Sequence, residues 1–163
     1  MAIRFLLTGW TIDWLDYNNE VDAPKHHDSI IPSLLKQSRV TFDYSIDNLM
    51  QKDSRFINNN DRETILKHCL DCLESQIIIT HGSITMSKTA KHIGKANLDK
   101  TIILCGAMVP ANREQSDALF NIWASVLAVQ TLQHWVYVVM NWRVFNHDNV
   151  RKNIELGIFE EEK

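Results

Sequence analysis

The sequence predicts an α/β protein: a single domain on a doubly wound, flavodoxin- or Rossmann-like, mainly parallel sheet. Two observations carry this. Short, continuous apolar runs rich in β-branched residues recur at 3–7, 77–80, 101–104 and 135–140, the pattern of strands buried on both faces. Helix-period patterns at 28–37, 61–73, 85–95 and 116–132 lie between them, and strand–helix alternation favours parallel pairing with right-handed crossovers.

Taken in order, the run at 3–7 leads into the turn "TGWTID" (8–13). The first helix, 28–37, has Asp28 or Ser29 as its cap. Segments 40–43 and 48–50 are read as additional strands. The second helix places Ile65, Leu66, Cys69, Leu70 and Leu73 at helical spacing. The strands at 77–80, 101–104 and 135–140 run into "THGSIT", "CGAMVP" and "MNWRVF". Each of these turns carries small or hydroxyl residues, and a sheet of this kind binds ligands at the C-terminal strand ends. Function is therefore expected in these loops.

The chain has 163 residues, 45% apolar and 23% charged, enough for one core. A formal charge of −3 provides no basic footprint for nucleic acid or an anionic membrane, and no apolar run has the length of a membrane span. The opening "MAIRFLLTGW" lacks signal-peptide length and cleavage chemistry. Three cysteines, Cys69, Cys72 and Cys105, are too few for a disulfide framework. A cytoplasmic protein acting on a small molecule is the expectation.

Thr11 and Ser83 each follow a strand inside a glycine-containing turn. Two readings of their hydroxyls stay open at this level: nucleophile, given a base and oxyanion donors, or a local cap and turn residue. The C-x-x-C formed by Cys69 and Cys72 lies on the apolar side of a helix without a second ligand pair, so packing outweighs zinc or redox chemistry. His26, His27 and Asp28 precede a helix and read as its cap region, not as a metal cluster. The acidic end "FEEEK" reads as solvated, which divides the chain into a domain at 1–159 and a tail at 160–163.

Taken together, "TGWTID" (8–13), "THGSITM" (80–86), "CGAMVP" (105–110), "SDALFN" (116–121), "MNWRVF" (140–145) and "NVRKN" (149–153) resemble the asparaginase/glutaminase amidohydrolases, in particular their N-terminal domain. The resemblance spans nearly the whole chain. It implies the same doubly wound fold and two-step hydrolysis of a side-chain amide, asparagine or glutamine, with no metal or organic cofactor. It implies Thr11 as nucleophile, with Ser83 and Lys152 handling protons. Tyr17, Asp53, Ser54, Ile84 and Ala107 fall at substrate-binding positions, Gly106 and Ala107 offering backbone N–H groups to the oxyanion. It also implies a homo-oligomer of two or four copies.

The departures are specific. The family pattern has aspartate where Ile84 stands, which removes a charge and leaves Lys152 without that anionic partner. Trp10, Trp123, Trp135 and Trp142 stand at glycine positions of the pattern, in a chain with five tryptophans and five glycines. Glycine supplies positive φ and close approach, which an indole does not. One reading covers all four: UGA codons that mean glycine, rendered as tryptophan. Two further functional readings follow, a catalytically impaired member with a ligand-binding or structural role and, from fold analogy alone, a nucleotide binder. No phosphate-binding glycine motif follows the first strand, which counts against the last.

Overall fold

Strand β1 (Ala2–Leu7) is the pivot of the sheet, pairing in parallel with β2 (Asp43–Asn48) on one side and with β3 (Gln76–Thr80) on the other. The computed structural model describes residues 2–9, 11–13 and 29–162. β4 (Thr101–Cys105) and β5 (Trp135–Met140) continue the parallel sheet, and β6 (Arg143–Asn146) closes it antiparallel, giving the order β2-β1-β3-β4-β5-β6. A separate antiparallel ribbon joins β7 (Arg151–Asn153) to β8 (Ile158–Glu160).

The central strands separate two cores by simple alternation. Phe5, Leu7, Ile78, Ile103 and Val139 face one layer, packed with Ile31 and Leu35 of α1 (Ile31–Gln37) and with Ile122, Val126 and Val129 of α4 (Ala118–Thr131). Leu6, Ile77, Ile79, Ile102, Leu104 and Val138 face the other, packed with Ile65 and Cys69 of α2 (Asn59–Asp71) and with Met86, Ala90 and Ile93 of α3 (Met86–Gly94). Strands β3 and β4 are buried at every residue, which is why they read as continuous apolar runs. Each such isoleucine contributes roughly 1.5–3 kcal/mol by leaving water.

Two expectations are corrected. The second strand is Asp43–Asn48, between the segments 40–43 and 48–50 where strands were placed. Among the described residues it is an edge strand paired to β1 alone and largely exposed, so its sequence, "DYSIDN", is polar enough to read as a turn. The segment "MNWRVF" is not an open loop. Met140 pairs with Arg143 across a two-residue hairpin, with Asn141 at φ 54° and Trp142 at φ 61°, the geometry that makes β5 and β6 antiparallel neighbours.

Helix boundaries follow local chemistry. Ser29 Oγ accepts from the Ile31 N–H at the start of α1; Asp28 lies outside the described residues. α2 begins at Asn59, two residues before the 61–73 pattern, because Asn58 and Asp61 form a reciprocal capping box. At the other end of the chain Glu160 belongs to β8 and pairs with Arg151, while Glu161 meets Arg143 and Glu162 meets Lys91.

Candidate active site

The sheet order reverses direction around β1, since the chain moves from β1 outward to β2 and then back across to β3. That is the switch point at which ligand crevices open beyond the C-terminal strand ends. A cleft of about 310 Å³ lies there, lined by Thr11, Asp53, Ser54, Arg55, Gly82, Ser83 and Ile84.

Its floor depends on close backbone approach. Gly9, at φ 90°, comes so near the 51–52 segment that a Cβ would sit 2.9 Å from Gln51 Cα. A Cβ on Gly82 would lie 2.6 Å from Ser54 Oγ. Just beyond Gly9, Thr11 begins a short 3-10 turn, Thr11–Asp13. Its hydroxyl donates to the Ala107 carbonyl at 2.7 Å and its own carbonyl accepts from the Ala111 N–H.

The Ala107 carbonyl is itself held. The Asp117 carboxylate accepts from the N–H groups of Met108 and Val109 and from Asn121 Nδ2, which also donates to the Gly106 carbonyl. The "SDALFN" segment thus fixes the turn against which Thr11 rests. The Gly106 N–H is directed at Met140 Sδ, 3.3 Å away. Ala107 reaches Thr11 through its carbonyl, a fully buried residue whose polar role is to orient the hydroxyl.

Ser83 also lines the cleft and is buried. Lys152 Nζ, arriving from β7, donates to Ser83 Oγ at 2.8 Å. Burial lowers the Lys152 pKa below the ordinary lysine value, and among the described residues it makes no ion pair. Lys152 stands opposite Phe159 in the ribbon, and the Phe159 N–H donates to Asn141 Oδ1 at 2.8 Å. The hairpin turn therefore anchors the ribbon that delivers the lysine.

Asp53 caps a second 3-10 turn, Ser54–Phe56, accepting from the Arg55 N–H and pairing with the Arg55 guanidinium. Ser54 is 1% exposed, and its hydroxyl has no hydrogen-bond partner among the described residues. Such a group costs free energy unless a ligand completes it. Ile84 is 42% exposed at the cleft. Tyr17 lies outside the described residues, as do Trp10, His26 and His27.

Sequence reasoning passed over two residues. Arg55, directly after the "KDS" segment, lines the cleft. His81, fully buried, hydrogen bonds to the Gly82 carbonyl through Nδ1 and to Thr89 Oγ1 through Nε2. Burial pushes its pKa down to about 4, so it is neutral at pH 7, with Nδ1–H donating and Nε2 accepting. Arg62 Nε donates to the same Thr89 hydroxyl. His81 thus braces the turn that carries Ser83. Its only sequence signal is a histidine directly after a buried strand and before a glycine.

Cys69, Cys72 and Cys105 form no disulfide among the described residues, and burial raises the Cys69 thiol to about 12, which removes thiolate chemistry there at neutral pH. Among the described residues no group of three His, Cys, Asp or Glu is placed to hold a metal ion, and no helix is long and apolar enough to cross a membrane.

The sheet order and the cleft at its switch point, which Thr11 and Ser83 both line and where Lys152 bonds Ser83, define a doubly wound α/β protein. The chain belongs to the asparaginase family: the model of the asparaginase N-terminal domain matches residues 2–156. L-asparaginase 2 of Escherichia coli (strain K12) is 31% identical over 105 residues, which cover 61% of this chain and 30% of that protein. Among solved structures, a probable cytoplasmic L-asparaginase from Campylobacter jejuni superposes with a TM-score of 0.78 at 26% identity, covering 98% of this chain and 52% of the other. The thermostable L-asparaginase from Thermococcus kodakarensis shares the fold with a TM-score of 0.84 at 20% identity, covering 99% and 51%. The chain spans about half the length of these solved relatives and less than a third of the E. coli protein.

Proposed function

We propose that this chain carries the nucleophile-bearing half-site of an asparaginase/glutaminase-type amidohydrolase, hydrolysing the side-chain amide of asparagine or a small amide of similar size. The observation that carries the reading is the shared cleft of Thr11 and Ser83, with Lys152 bonded to Ser83. In the first step the Thr11 oxygen forms a bond to the amide carbon, the C–N bond breaks, and the leaving nitrogen takes up a proton to depart as ammonia. In the second, water adds to the ester, the C–O bond to Thr11 breaks, and the free acid leaves. The Ala107 carbonyl orients the Thr11 hydroxyl, and Lys152, its pKa lowered by burial, exchanges protons through Ser83.

A cytoplasmic homo-oligomer of two or four copies, needing no metal or organic cofactor, accompanies this reading. A second reading, a member that binds ligand without turning it over, is favoured by Ile84 in the cleft. Ammonia release from asparagine and glutamine by the purified protein decides between them. The amidohydrolase reading expects release that Thr11→Ala abolishes while far-ultraviolet circular dichroism is unchanged. Release that survives Thr11→Ala, or none from any small amide, would sink it.

A further inference from the structure

The charge arrangement of the cleft bears on its ligand. Its described walls carry one carboxylate, Asp53, and that group is committed to the Arg55 backbone N–H and guanidinium. Arg55 also lines the cleft, and Lys152 stands behind Ser83. The charges of Asp53 and Arg55 offset each other, so the lining carries no net negative charge. A ligand carboxylate entering here meets the Arg55 guanidinium and the unpartnered Ser54 hydroxyl, both able to donate hydrogen bonds to it. A ligand ammonium meets no uncommitted carboxylate among the described walls. It meets the half-exposed hydrocarbon of Ile84, which offers it no hydrogen-bond acceptor.

We infer that the cleft selects small ω-amides of dicarboxylic acids that lack an α-ammonium group, with Ile84 as the specificity-determining residue. The ligand class is an anionic amide with a plain methylene, or another uncharged carbon, where an amino acid carries its charged nitrogen. Its distal carboxylate faces Arg55 and Ser54, its uncharged carbon faces Ile84, and its amide faces Thr11. The inference rests on the amidohydrolase reading for turnover, and on cleft chemistry alone for binding.

The test compares succinamate with asparagine as substrates and succinate with L-aspartate as bound products. On native protein, kcat/KM for succinamate should exceed that for asparagine at least tenfold. Calorimetry on Thr11→Ala should find succinate bound at least tenfold more tightly than L-aspartate. Ile84→Asp places a carboxylate at this half-exposed position, where folding is little affected, and should reverse both preferences. Equal or reversed preference in the native protein, an Ile84→Asp variant that leaves the ratios unmoved, or no binding of either product overturns the inference. If neither amide yields ammonia but succinate still binds preferentially and the Ile84→Asp reversal holds, the turnover reading fails and the specificity inference stands.

Discussion

Lys152 Nζ lies 2.8 Å from Ser83 Oγ, joining a strand of the C-terminal ribbon to the loop after β3, 69 positions away in sequence. The contact combines a half-buried amine, a pKa lowered by burial and a hydroxyl at the wall of the cleft. If the pair relays a proton, the amine must be neutral, so kcat/KM should rise with pH on a limb that falls below the ordinary lysine range. Ser83→Ala and Lys152→Met should each lower kcat by roughly 10²–10⁴, and the double variant should lose little more than the worse single one, because the two act as a unit. Lys152→Arg should not restore activity, since a guanidinium keeps its proton. Steady-state pH profiles of the four variants check this. Additive losses, or an active Lys152→Arg, would exclude the relay.

The position of Lys152 is set from a distance. Asn141 accepts from the Phe159 N–H, and Phe159 pairs with Lys152. Asn141 also holds φ 54°, a conformation that asparagine tolerates better than most residues. Asn141→Ala removes both features. It should lower kcat by about tenfold or more with little change in KM, because the ribbon and not the substrate contact is disturbed, and it should flatten the pH limb assigned to Lys152. The split between kcat and KM, with the pH profile, separates this positioning role from loss of fold.

What the sequence disclosed, and what it withheld, follows from how each signal is encoded. Buried parallel strands such as 77–80 and 101–104 write themselves as unbroken apolar runs because both faces meet helices. The edge strand Asp43–Asn48 is written in polar residues, and its pairing to β1 is visible only in three dimensions. Thr11 and Ser83 are legible as hydroxyls in glycine-containing turns after strands, and Lys152, which lies in β7, only through the family resemblance. Arg55 and His81 are not, since one acts through a cleft assembled from separate loops and the other through a buried hydrogen bond to Thr89 that the letters do not announce. The direction of the Gly106 N–H toward Met140 was equally beyond a pattern of letters.

His81 predicts an acid limb of stability. Its folded pKa, about 4, lies below the ordinary value of 6.5, so between those two values the unfolded chain binds more protons than the folded one. Stability from this group is full above about pH 6.5 and is lost as pH falls toward 4, by roughly 3 kcal/mol in all at 1.36 kcal/mol per pH unit. His147, also lowered by burial, adds a contribution of the same sign. Urea midpoints measured from pH 4 to pH 7 should therefore climb with pH, and His81→Gln should reduce that slope even if it lowers stability throughout. A slope unchanged by His81→Gln would assign the acid limb to other groups.

Trp142 occupies the second position of the two-residue β5–β6 turn at φ 61°, where a turn of this kind calls for glycine after asparagine. It is 75% exposed, and its described ring neighbour is Phe120, at 5.7 Å between centroids. Among the other tryptophans at glycine positions, Trp123 packs within α4 and Trp135 lies in β5, and neither holds a positive φ. The backbone signature of a glycine thus survives at residue 142. Trp142→Gly relieves the left-handed strain of a bulky residue, worth about 1–2 kcal/mol, and forfeits a single exposed ring contact, worth about 0.5–1.5 kcal/mol at most. The net change should be stabilising by up to about 1 kcal/mol, read as a higher urea midpoint at an unchanged m-value. Trp142→Ala keeps the positive-φ penalty and loses the ring, so it should be less stable than both. A UGA codon at position 142 would identify glycine as the encoded residue, whereas UGG there, with Trp142→Gly no more stable than the tryptophan form, would mean that the hairpin was built around the indole.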